Sequence, residues 1–420
     1  MRVARGHVAG DGGTRLIILA LIAAIAAGCA TLTPTPSSNP TTDADLGPST
    51  SVAPPTPIPI PKHEVYGFVP YWEMDATIAD HIAATDLSTL GLFSVTHQRN
   101  GRIDEQTGLQ RIRGPIGRAM IQAAHERKAR VEIVYTSFGT TKNQRFYDDP
   151  KAQDRWIDEL IGLVDELGVD GISVDVEAIP LDLVPLYGAF VGRLRTSLRE
   201  RIPDAQLSVA TQGNEVGAAM AAVAATAGAD RIFLMGYDYR TPRTEPGASA
   251  PIDRLDGQPK DLVWSLDLYA TLGVPADRLL LGLPLYGVTW PVIAPGFLAP
   301  SAGRGDAWVP RRNLRVFEDP AFAPTYDATE SVEFYSVPTA FASPAASGSA
   351  GAVGDASPSP EPVAWDAVYY DSPRSLTPKL RLADDRGLAG AGFWAIGYER
   401  GLPGYTELIA AFRAGKLPRE

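Results

Sequence analysis

The sequence predicts an α/β protein, a closed (β/α)8 TIM barrel with a small α+β insertion between its seventh and eighth strands. Short apolar runs recur along residues 63–415, and segments with helical spacing of apolar residues lie between them. Each run suits a strand buried on both faces of a parallel sheet. Eight such strands alternating with helices indicate a closed barrel. The alternative is an open doubly wound sheet, but no Gly-rich phosphate turn follows the first strand, which disfavours its nucleotide-binding form.

The eight predicted strands cover residues 65–69, 90–95, 131–135, 168–176, 207–211, 232–235, 279–283 and 391–395. The predicted helices cover residues 115–128, 151–167, 182–200, 214–226, 260–272 and 402–413. In the second of these helices, Trp156, Leu160 and Val164 recur at a spacing of four, which places them on one face. Pro115 suits the first turn of its helix, where a missing N–H costs nothing.

The interval between the seventh and eighth predicted strands is unusually long. A structureless loop of about 100 residues is improbable inside a compact domain, so the segment 288–388 is predicted to form an insertion subdomain. Within it, residues 306–309, 331–337 and 363–370 are possible strands. Residues 341–362 are dominated by Ala, Ser, Gly and Pro and are expected to form a floppy loop.

The N-terminus carries the features of an export signal. Three arginines precede an apolar run at 16–27, which is too short for a transmembrane helix of ~20 residues. The sequence Ala-Ala-Gly-Cys at 26–29 resembles a bacterial lipobox, with Ala26 where Leu is usual. Residues 1–29 are therefore predicted to be a lipoprotein-type signal peptide with lipidation at Cys29, giving an exported, surface-anchored protein. An ordinary secretory signal with an incidental cysteine is the alternative.

The segment 30–62 is rich in Thr, Pro and Ser and is predicted to be an extended linker. The net charge of -11 argues against nucleic acid or an anionic membrane surface as a partner. Any membrane contact is therefore expected through the lipid anchor alone, and the protein is expected to be a monomer. Five scattered histidines without ligand spacing predict neither a metal site nor a metal cofactor.

Two carboxylates at the end of the fourth predicted strand are the candidate catalytic groups. Alternate residues of a strand face the same side, so Ser173, Asp175 and Glu177 point together into the barrel near its C-terminal mouth. Like charge and burial raise the pKa of one carboxyl, which can then act as a general acid. Asp-x-Glu alone is a weak signal, because in most instances it marks only a solvated strand end. Apolar neighbours such as Val174 and Val176 favour a buried strand.

The segment 170–177, Asp-Gly-Ile-Ser-Val-Asp-Val-Glu, resembles the signature Asp-Gly-x-Asp-x-Asp-x-Glu of glycoside hydrolase family 18, the chitinases and their relatives. Asp170 and Gly171 match its first two positions. Five further segments resemble motifs of that family in barrel order: 66–72, 235–238, 282–287, 370–379 and 392–397. The resemblance implies a TIM barrel and retaining hydrolysis of β-linked N-acetylglucosamine glycans. It covers roughly residues 63–415, and no cofactor is implied.

The resemblance also implies roles for individual residues. The 2-acetamido oxygen of the substrate is the nucleophile in this family. Glu177 would protonate the leaving oxygen and then activate water, Asp175 would orient the acetamide, and the Tyr237 hydroxyl would bind it. Further substrate contacts are expected from Asp238 and Met235 of the sixth-strand motif, from Trp394 as an apolar floor, and from Tyr71, Trp72, Tyr286 and Trp290 at outer subsites. For the last four, packing in the core or barrel rim is the alternative.

Ser173 departs from the signature, which has Asp at that position. A serine hydroxyl can donate to Asp175 but cannot take up a charge, so Asp175 is expected to titrate differently here. Some bacterial relatives, including spore-cortex peptidoglycan hydrolases, resemble this chain in lacking that acid. The substrate is therefore expected to be a polysaccharide or oligosaccharide, either chitin-like or peptidoglycan. A non-catalytic glycan-binding protein is the alternative function, but such relatives typically lose the glutamate that Glu177 retains.

Overall fold

The computed structural model describes residues 62–338 and 365–418. Thirteen strands lie in these residues: β1 Glu64–Pro70, β2 Thr89–Val95, β3 Arg130–Phe138, β4 Gly171–Glu177, β5 Gln206–Gln212, β6 Arg231–Met235, β7 Leu279–Pro284, β8 Gly287–Val292, β9 Asp306–Trp308, β10 Thr325–Asp327, β11 Val332–Pro338, β12 Trp365–Tyr370 and β13 Gly390–Trp394. Strands β1 to β7 and β13 form a closed barrel of parallel neighbours, with β13 between β7 and β1. The predicted (β/α)8 barrel is confirmed.

The described helices are α1 Ile78–Ala84, α2 Thr107–Arg113, α3 Pro115–Glu126, α4 Thr140–Tyr147, α5 Pro150–Leu167, α6 Val184–Arg201, α7 Glu215–Thr226, α8 Leu262–Thr271, α9 Leu314–Glu318, α10 Pro373–Asp385 and α11 Tyr405–Arg413. The residues that the structure describes contain no helix with the length and apolarity needed to cross a membrane. The predicted signal peptide, the lipidation at Cys29, the linker up to Pro61 and the low-complexity stretch at 341–362 lie outside the described residues.

Local sequence signals set the position of β4, which carries the candidate acids. Helix α5 starts where the Asp149 side chain accepts a hydrogen bond from Ala152 N at 3.0 Å, and it ends at Gly168, whose φ of 64° favours glycine. The carboxylate of Asp170 then accepts a hydrogen bond from Val131 N at 2.8 Å. This contact aligns the start of β4 with β3, so that Glu177 lies beside Phe138 at the far end.

Aromatic side chains fill the middle of the barrel because glycines on neighbouring strands leave room for them. A Cβ at Gly282 would lie 2.3 Å from Phe233, and one at Gly392 would lie 2.5 Å from the same ring. Phe233 therefore reaches the centre of the barrel, where its ring packs edge-on against Phe68 at 4.9 Å between centroids. The packed centre forms a solid base below the mouth.

The insertion is a five-stranded antiparallel sheet in the order β10-β11-β12-β8-β9. The possible strands at 306–309, 331–337 and 363–370 correspond to β9, β11 and β12. Sequence reasoning missed β8 and the three-residue β10. Helix α10 falls inside the predicted bounds of 288–388, but it packs on β7 and β13 as part of the outer ring of the barrel.

A buried ion pair joins the loop after β6 to the insertion. The guanidinium of Arg240 donates to both carboxylate oxygens of Glu330 at 2.7 Å, and both side chains are almost fully buried. The backbone N–H groups of Ala248 and Leu255 also donate to Glu330. A buried charge pair of this kind needs its additional hydrogen bonds to offset desolvation. The loop that carries Asp238 is therefore held against the added sheet.

Candidate active site

An open cleft of ≈ 1120 Å³ lies at the C-terminal ends of the barrel strands. Asp175 and Glu177 line it, and Val288, Ala307 and Val309 from the insertion line one wall. This is the end at which barrel enzymes carry their catalytic groups. The position agrees with the strand parity of β4, since residues 173, 175 and 177 share the inner face.

The two acids of β4 differ in burial and in hydrogen bonding. Asp175 is 6% exposed, and its Oδ1 atom has no hydrogen-bond partner within residues 62–338 and 365–418. Burial raises its pKa well above the ordinary value, and the charge of Glu177 adds to the rise. Burial also raises the pKa of Glu177, opposed by a hydrogen bond from Gln212 Nε2 to Glu177 Oε2 at 2.9 Å. Like charge keeps such a pair from ionising together.

Two tyrosines and a third acid face this pair from the next strands. Burial raises the pKa of the Tyr237 hydroxyl, and the charges of Asp175 and Asp238 raise it further. The Tyr286 hydroxyl donates to Asp238 Oδ1, and the Asp238 backbone N–H donates to Ser249 Oγ at 3.0 Å. Asp238 has a φ of 61°, so its side chain leaves the strand in a left-handed turn. The structure thus brings Asp175, Glu177, Tyr237 and Asp238 together.

Trp394 forms the base of the cleft among other aromatic rings. Its ring meets Phe93 edge-on, with centroids 4.7 Å apart, and lies 6.3 Å from the ring of Trp72. Trp72 is 44% exposed, and its indole N–H donates to the Tyr398 hydroxyl at 3.0 Å. Tyr71, Met235 and Tyr286 also line the cleft, as the sequence predicted for them. Their contact with a substrate remains a prediction.

The structure corrects the prediction for Trp290, which does not line the cleft. Its side chain is 0% exposed and lies in the hydrophobic core of the insertion. Its indole N–H donates to Thr244 O at 3.0 Å, and its ring meets Tyr369 edge-on. The reason is the strand β8, whose alternation turns Trp290 and Val292 to the same buried side of the sheet.

The matched family model, Glycosyl hydrolases family 18, covers residues 62–399. The chain belongs to glycoside hydrolase family 18. The Streptomyces plicatus protein named Chitinase 63 is 27% identical over 309 residues, 68% of this chain and 45% of that protein. The oviduct-specific glycoprotein of Bos taurus is 26% identical over 170 residues, 37% of this chain and 31% of that protein. The chain thus spans less than half the length of either relative.

Solved structures share the fold of this chain. The spore cortex-lytic enzyme SleL of Bacillus cereus superposes with a TM-score of 0.63 at 17% identity, covering 84% of this chain and 74% of that chain. A chitinase of Cycas revoluta in complex with (GlcNAc)3 gives a TM-score of 0.66 at 17% identity, covering 84% of this chain and 100% of that chain. The family predicted from the sequence motifs is confirmed.

The family signature divides between the two ends of β4. Asp170 lies just before the strand and far from the mouth, where it also contacts His125 Nε2 at 2.8 Å. Gly171 is required for close strand packing, since a Cβ there would lie 2.1 Å from Gln206 O. These two positions support the barrel, and only the last part of the signature faces the cleft. In the described part of the chain, no group of three or more His, Cys, Asp or Glu side chains could hold a metal ion.

Sequence reasoning missed three side chains that complete the site. Gln212 donates to Glu177, and Asn143 Nδ2 donates to the backbone oxygen of Glu177 at 2.6 Å. Phe138, 47% exposed, adds an aromatic surface at the end of β3. Strand parity offered a signal for Gln212, which follows the predicted strand 207–211 on its inner face. No sequence pattern pointed to Asn143, because its contact with β4 depends on how α4 packs.

Below the site, the barrel interior holds another carboxyl. Ser173 is fully buried, and its hydroxyl has no hydrogen-bond partner among the described residues. Glu132, on β3 and deeper than Asp175, accepts hydrogen bonds from the Tyr66 hydroxyl at 2.7 Å and from Gln206 Nε2 and Ser208 Oγ at 2.8 Å each. Burial raises the pKa of Glu132 to about 8 in spite of these donors.

The raised pKa of Glu132 predicts a stability that depends on pH. The folded chain keeps this proton up to about pH 8, whereas the unfolded chain loses it above the ordinary value of 4.5. The stabilisation is therefore complete below pH 4.5 and is lost as the pH rises toward 8, on the order of several kcal/mol in total. In Glu132→Gln, the amide oxygen can accept from Gln206 and Ser208, and the amide nitrogen can donate to the Tyr66 oxygen. The variant has no proton to lose at this position, so this part of the change in unfolding free energy with pH is expected to disappear. Urea unfolding monitored by fluorescence between pH 5 and 8 measures it.

The control is Glu126→Gln on the outer helix α3, where the Glu126 carboxylate accepts from Gln122 on the exposed surface. This variant is expected to keep the wild-type slope. Parallel curves of free energy against pH for wild type and Glu132→Gln would show that Glu132 does not hold a proton in the folded barrel.

Proposed function

We propose that the protein is an active retaining glycosidase that hydrolyses β-linked N-acetylglucosamine glycans with the substrate's acetamide as nucleophile. The observation that carries the proposal is the buried Oδ1 atom of Asp175, an acceptor without a donor among the described residues. Buried polar atoms nearly always have a partner. Asp175 lines the cleft, and rotation of its carboxyl group would turn this atom toward an acetamide N–H there, which supplies the missing donor. An acetamide bound there would lie beside Glu177 and Tyr237, which line the same cleft.

Without substrate, burial favours the protonated form of Asp175. In the reacting form the pair retains one proton, which lies on Glu177, because the acetamide N–H donates to Asp175 and stabilises its carboxylate. Asp175 accepts the acetamide N–H and turns the acetamide oxygen toward the anomeric carbon. That oxygen forms a bond to the anomeric carbon as the glycosidic C–O bond breaks, and Glu177 gives its proton to the leaving oxygen. The Tyr237 hydroxyl donates to the acetamide, and Asp175 stabilises the positive intermediate. Glu177, now a carboxylate, takes a proton from the water that attacks the anomeric carbon. The bond between that carbon and the acetamide oxygen breaks in the same step, which restores the acetamide and the protonated Glu177.

The aromatic rings support a sugar substrate. Sugars present C–H faces that stack on aromatic rings, and Trp394 offers such a face at the base of the cleft. Trp72 and Phe138 add exposed rings along the cleft at 44% and 47% exposure. The Cycas revoluta chitinase, which has the same fold, was solved with (GlcNAc)3 bound. Chitin and peptidoglycan glycans both contain this sugar.

Glu177→Gln tests the acid. The amide keeps the shape and the contact with Gln212 but cannot supply a proton, so kcat/KM on chromogenic chito-oligosaccharides is expected to fall by about 10²–10⁴. Binding of the same oligosaccharides, measured by calorimetry, is expected to change little. Glu126→Gln on the outer helix is the control. Binding of chitin and peptidoglycan fragments without turnover by the wild type would instead support a glycan-binding protein.

Ser173→Asp tests the departure from the family signature. A carboxyl at this buried position adds a like charge beside Asp175 and raises the pKa of Asp175 further. The limb of the pH profile of kcat/KM that follows this acid is expected to move to higher pH. Ser173→Asn has nearly the same shape without an ionisable group and is expected to keep the wild-type limb. Superimposable profiles of Ser173→Asp and wild type would refute a role for Ser173 in the titration.

We also propose that the enzyme lies outside the cytoplasm and is anchored to a membrane by a lipid on Cys29 after removal of residues 1–28. Support comes from the basic start, the apolar run and the position of the single cysteine. In a bacterial host, Cys29→Ala is expected to shift the protein from the membrane fraction to the soluble or secreted fractions. Immunoblots of these fractions measure the shift, and Ser51→Ala in the linker is the control. An unchanged distribution would contradict anchoring at this cysteine.

A further inference from the structure

Among the residues that the structure describes, three cationic side chains line the cleft, and two of them have acidic partners. The guanidinium of Arg254 donates to both oxygens of Asp256, at 2.9 and 2.5 Å. The ammonium of Lys260 lies 2.9 Å from Glu215 Oε2. Lys142, in the first turn of α4, is the third. Its ammonium has no carboxylate oxygen within 4.0 Å in residues 62–338 and 365–418.

The hydrogen bond of Lys142 goes to a neutral hydroxyl, whereas those of Arg254 and Lys260 include a carboxylate. The Lys142 Nζ atom donates to Thr96 Oγ1 at 2.6 Å, and no other acceptor among the described residues meets it. An ammonium has three donors, so two of them are available to the cleft. Asp104 is the acid that acts on it at longer range, and burial lowers the pKa of Lys142 in spite of that charge. A partly desolvated cation without a paired anion is costly to the protein alone.

The aromatic ring of Phe138 lines the same cleft as Lys142. Phe138 precedes Lys142 by four residues at the end of β3, and its ring stacks at 25° over Phe93 with centroids 6.5 Å apart. The other side of the ring is exposed to the cleft. Phe138 and Lys142 line the same cleft, so a glycan that stacks on this ring occupies the cleft to which the ammonium belongs.

We infer that Lys142 is a specificity-determining residue that binds a carboxylate on the glycan. The inference rests on the proposed function and deepens it. A polymer of N-acetylglucosamine alone is neutral and gains little from an unpaired ammonium. The substrate class that fits is a β-linked amino-sugar polymer with carboxylate substituents, such as the lactyl ether or peptide groups of peptidoglycan. The net charge of -11 repels anions in general, so a local cation in the cleft carries this recognition.

The test compares two substrate forms in one set of variants. Purified peptidoglycan glycan strands are used as they are and after their carboxylates are converted to neutral amides, and (GlcNAc)n oligomers serve as the neutral reference. In Lys142→Gln, kcat/KM on the unmodified strands is expected to fall about tenfold or more. On the amidated strands and the oligomers it is expected to stay within about twofold of wild type. Lys142→Arg is expected to retain most of the activity on the unmodified strands.

Lys260→Gln is the matched control, because this lysine lines the same cleft but already contacts Glu215. Any change in kcat/KM that Lys260→Gln causes is expected to be the same on the unmodified and the amidated strands. Equal losses on charged and neutral substrates in Lys142→Gln would overturn the inference and give Lys142 a structural role through Thr96. No loss on the unmodified strands would overturn it as well.

Binding measurements without turnover distinguish the role of Lys142 from the hydrolytic activity. Calorimetry in the Glu177→Gln background measures the affinity for unmodified and amidated fragments without turnover. A preference for the unmodified form that disappears with Lys142→Gln supports the carboxylate contact even if the wild type hydrolyses neither form. Turnover of both forms by the wild type with no such preference leaves the glycosidase in place and refutes the role of Lys142.

Discussion

The burial of carboxyl groups inside the barrel is the constraint on which the rest of the site depends. Glu132, Asp175 and Glu177 all lie on inward faces of β3 and β4, where low dielectric disfavours charge and raises their pKa values. The hydrogen-bond donors around each carboxyl distinguish the role of Glu132 from that of Asp175. Glu132 has three donors and is satisfied within the protein, whereas Oδ1 of Asp175 has none in the part of the chain that the structure describes. One acid is thus structural, and the pair above it faces the cleft.

The cleft depends on the insertion as well as on the barrel. Arg240 and Glu330 join the loop after β6 to the added sheet, and that loop carries Asp238 and Ser249. Tyr286, immediately before β8, donates to Asp238 from the same side. The wall formed by the insertion is therefore tied to the loop that carries Asp238. This arrangement explains why a sheet far along the chain contributes Ala307 and Val309 to the same cleft.

Strand alternation predicted the most, and the main error concerns a strand that the sequence analysis did not predict. The inward direction of Asp175 and Glu177 follows from a period of two, which any buried strand imposes. The same rule applied to β8 places Trp290 with Val288 and Val292 in a buried core. Because β8 begins at Gly287, close behind the end of β7 at Pro284, the sequence does not reveal it as a separate strand, and Trp290 is instead predicted at an outer subsite. Gln212 could have been found by parity, whereas Asn143 and Lys142 depend on the packing of α4.

The sequence by itself determined the barrel, the family and the pair of acids, because these depend on short-range periodicity and on motifs that lie along single strands. Tertiary structure alone decided which polar groups meet: Gln212 with Glu177, Tyr286 with Asp238, and Lys142 with Thr96 but with no close acid among the described residues. These contacts join segments between 35 and 48 residues apart. The local sequence pattern does not predict these contacts, because closure of the barrel and packing of the inserted sheet bring their partners together.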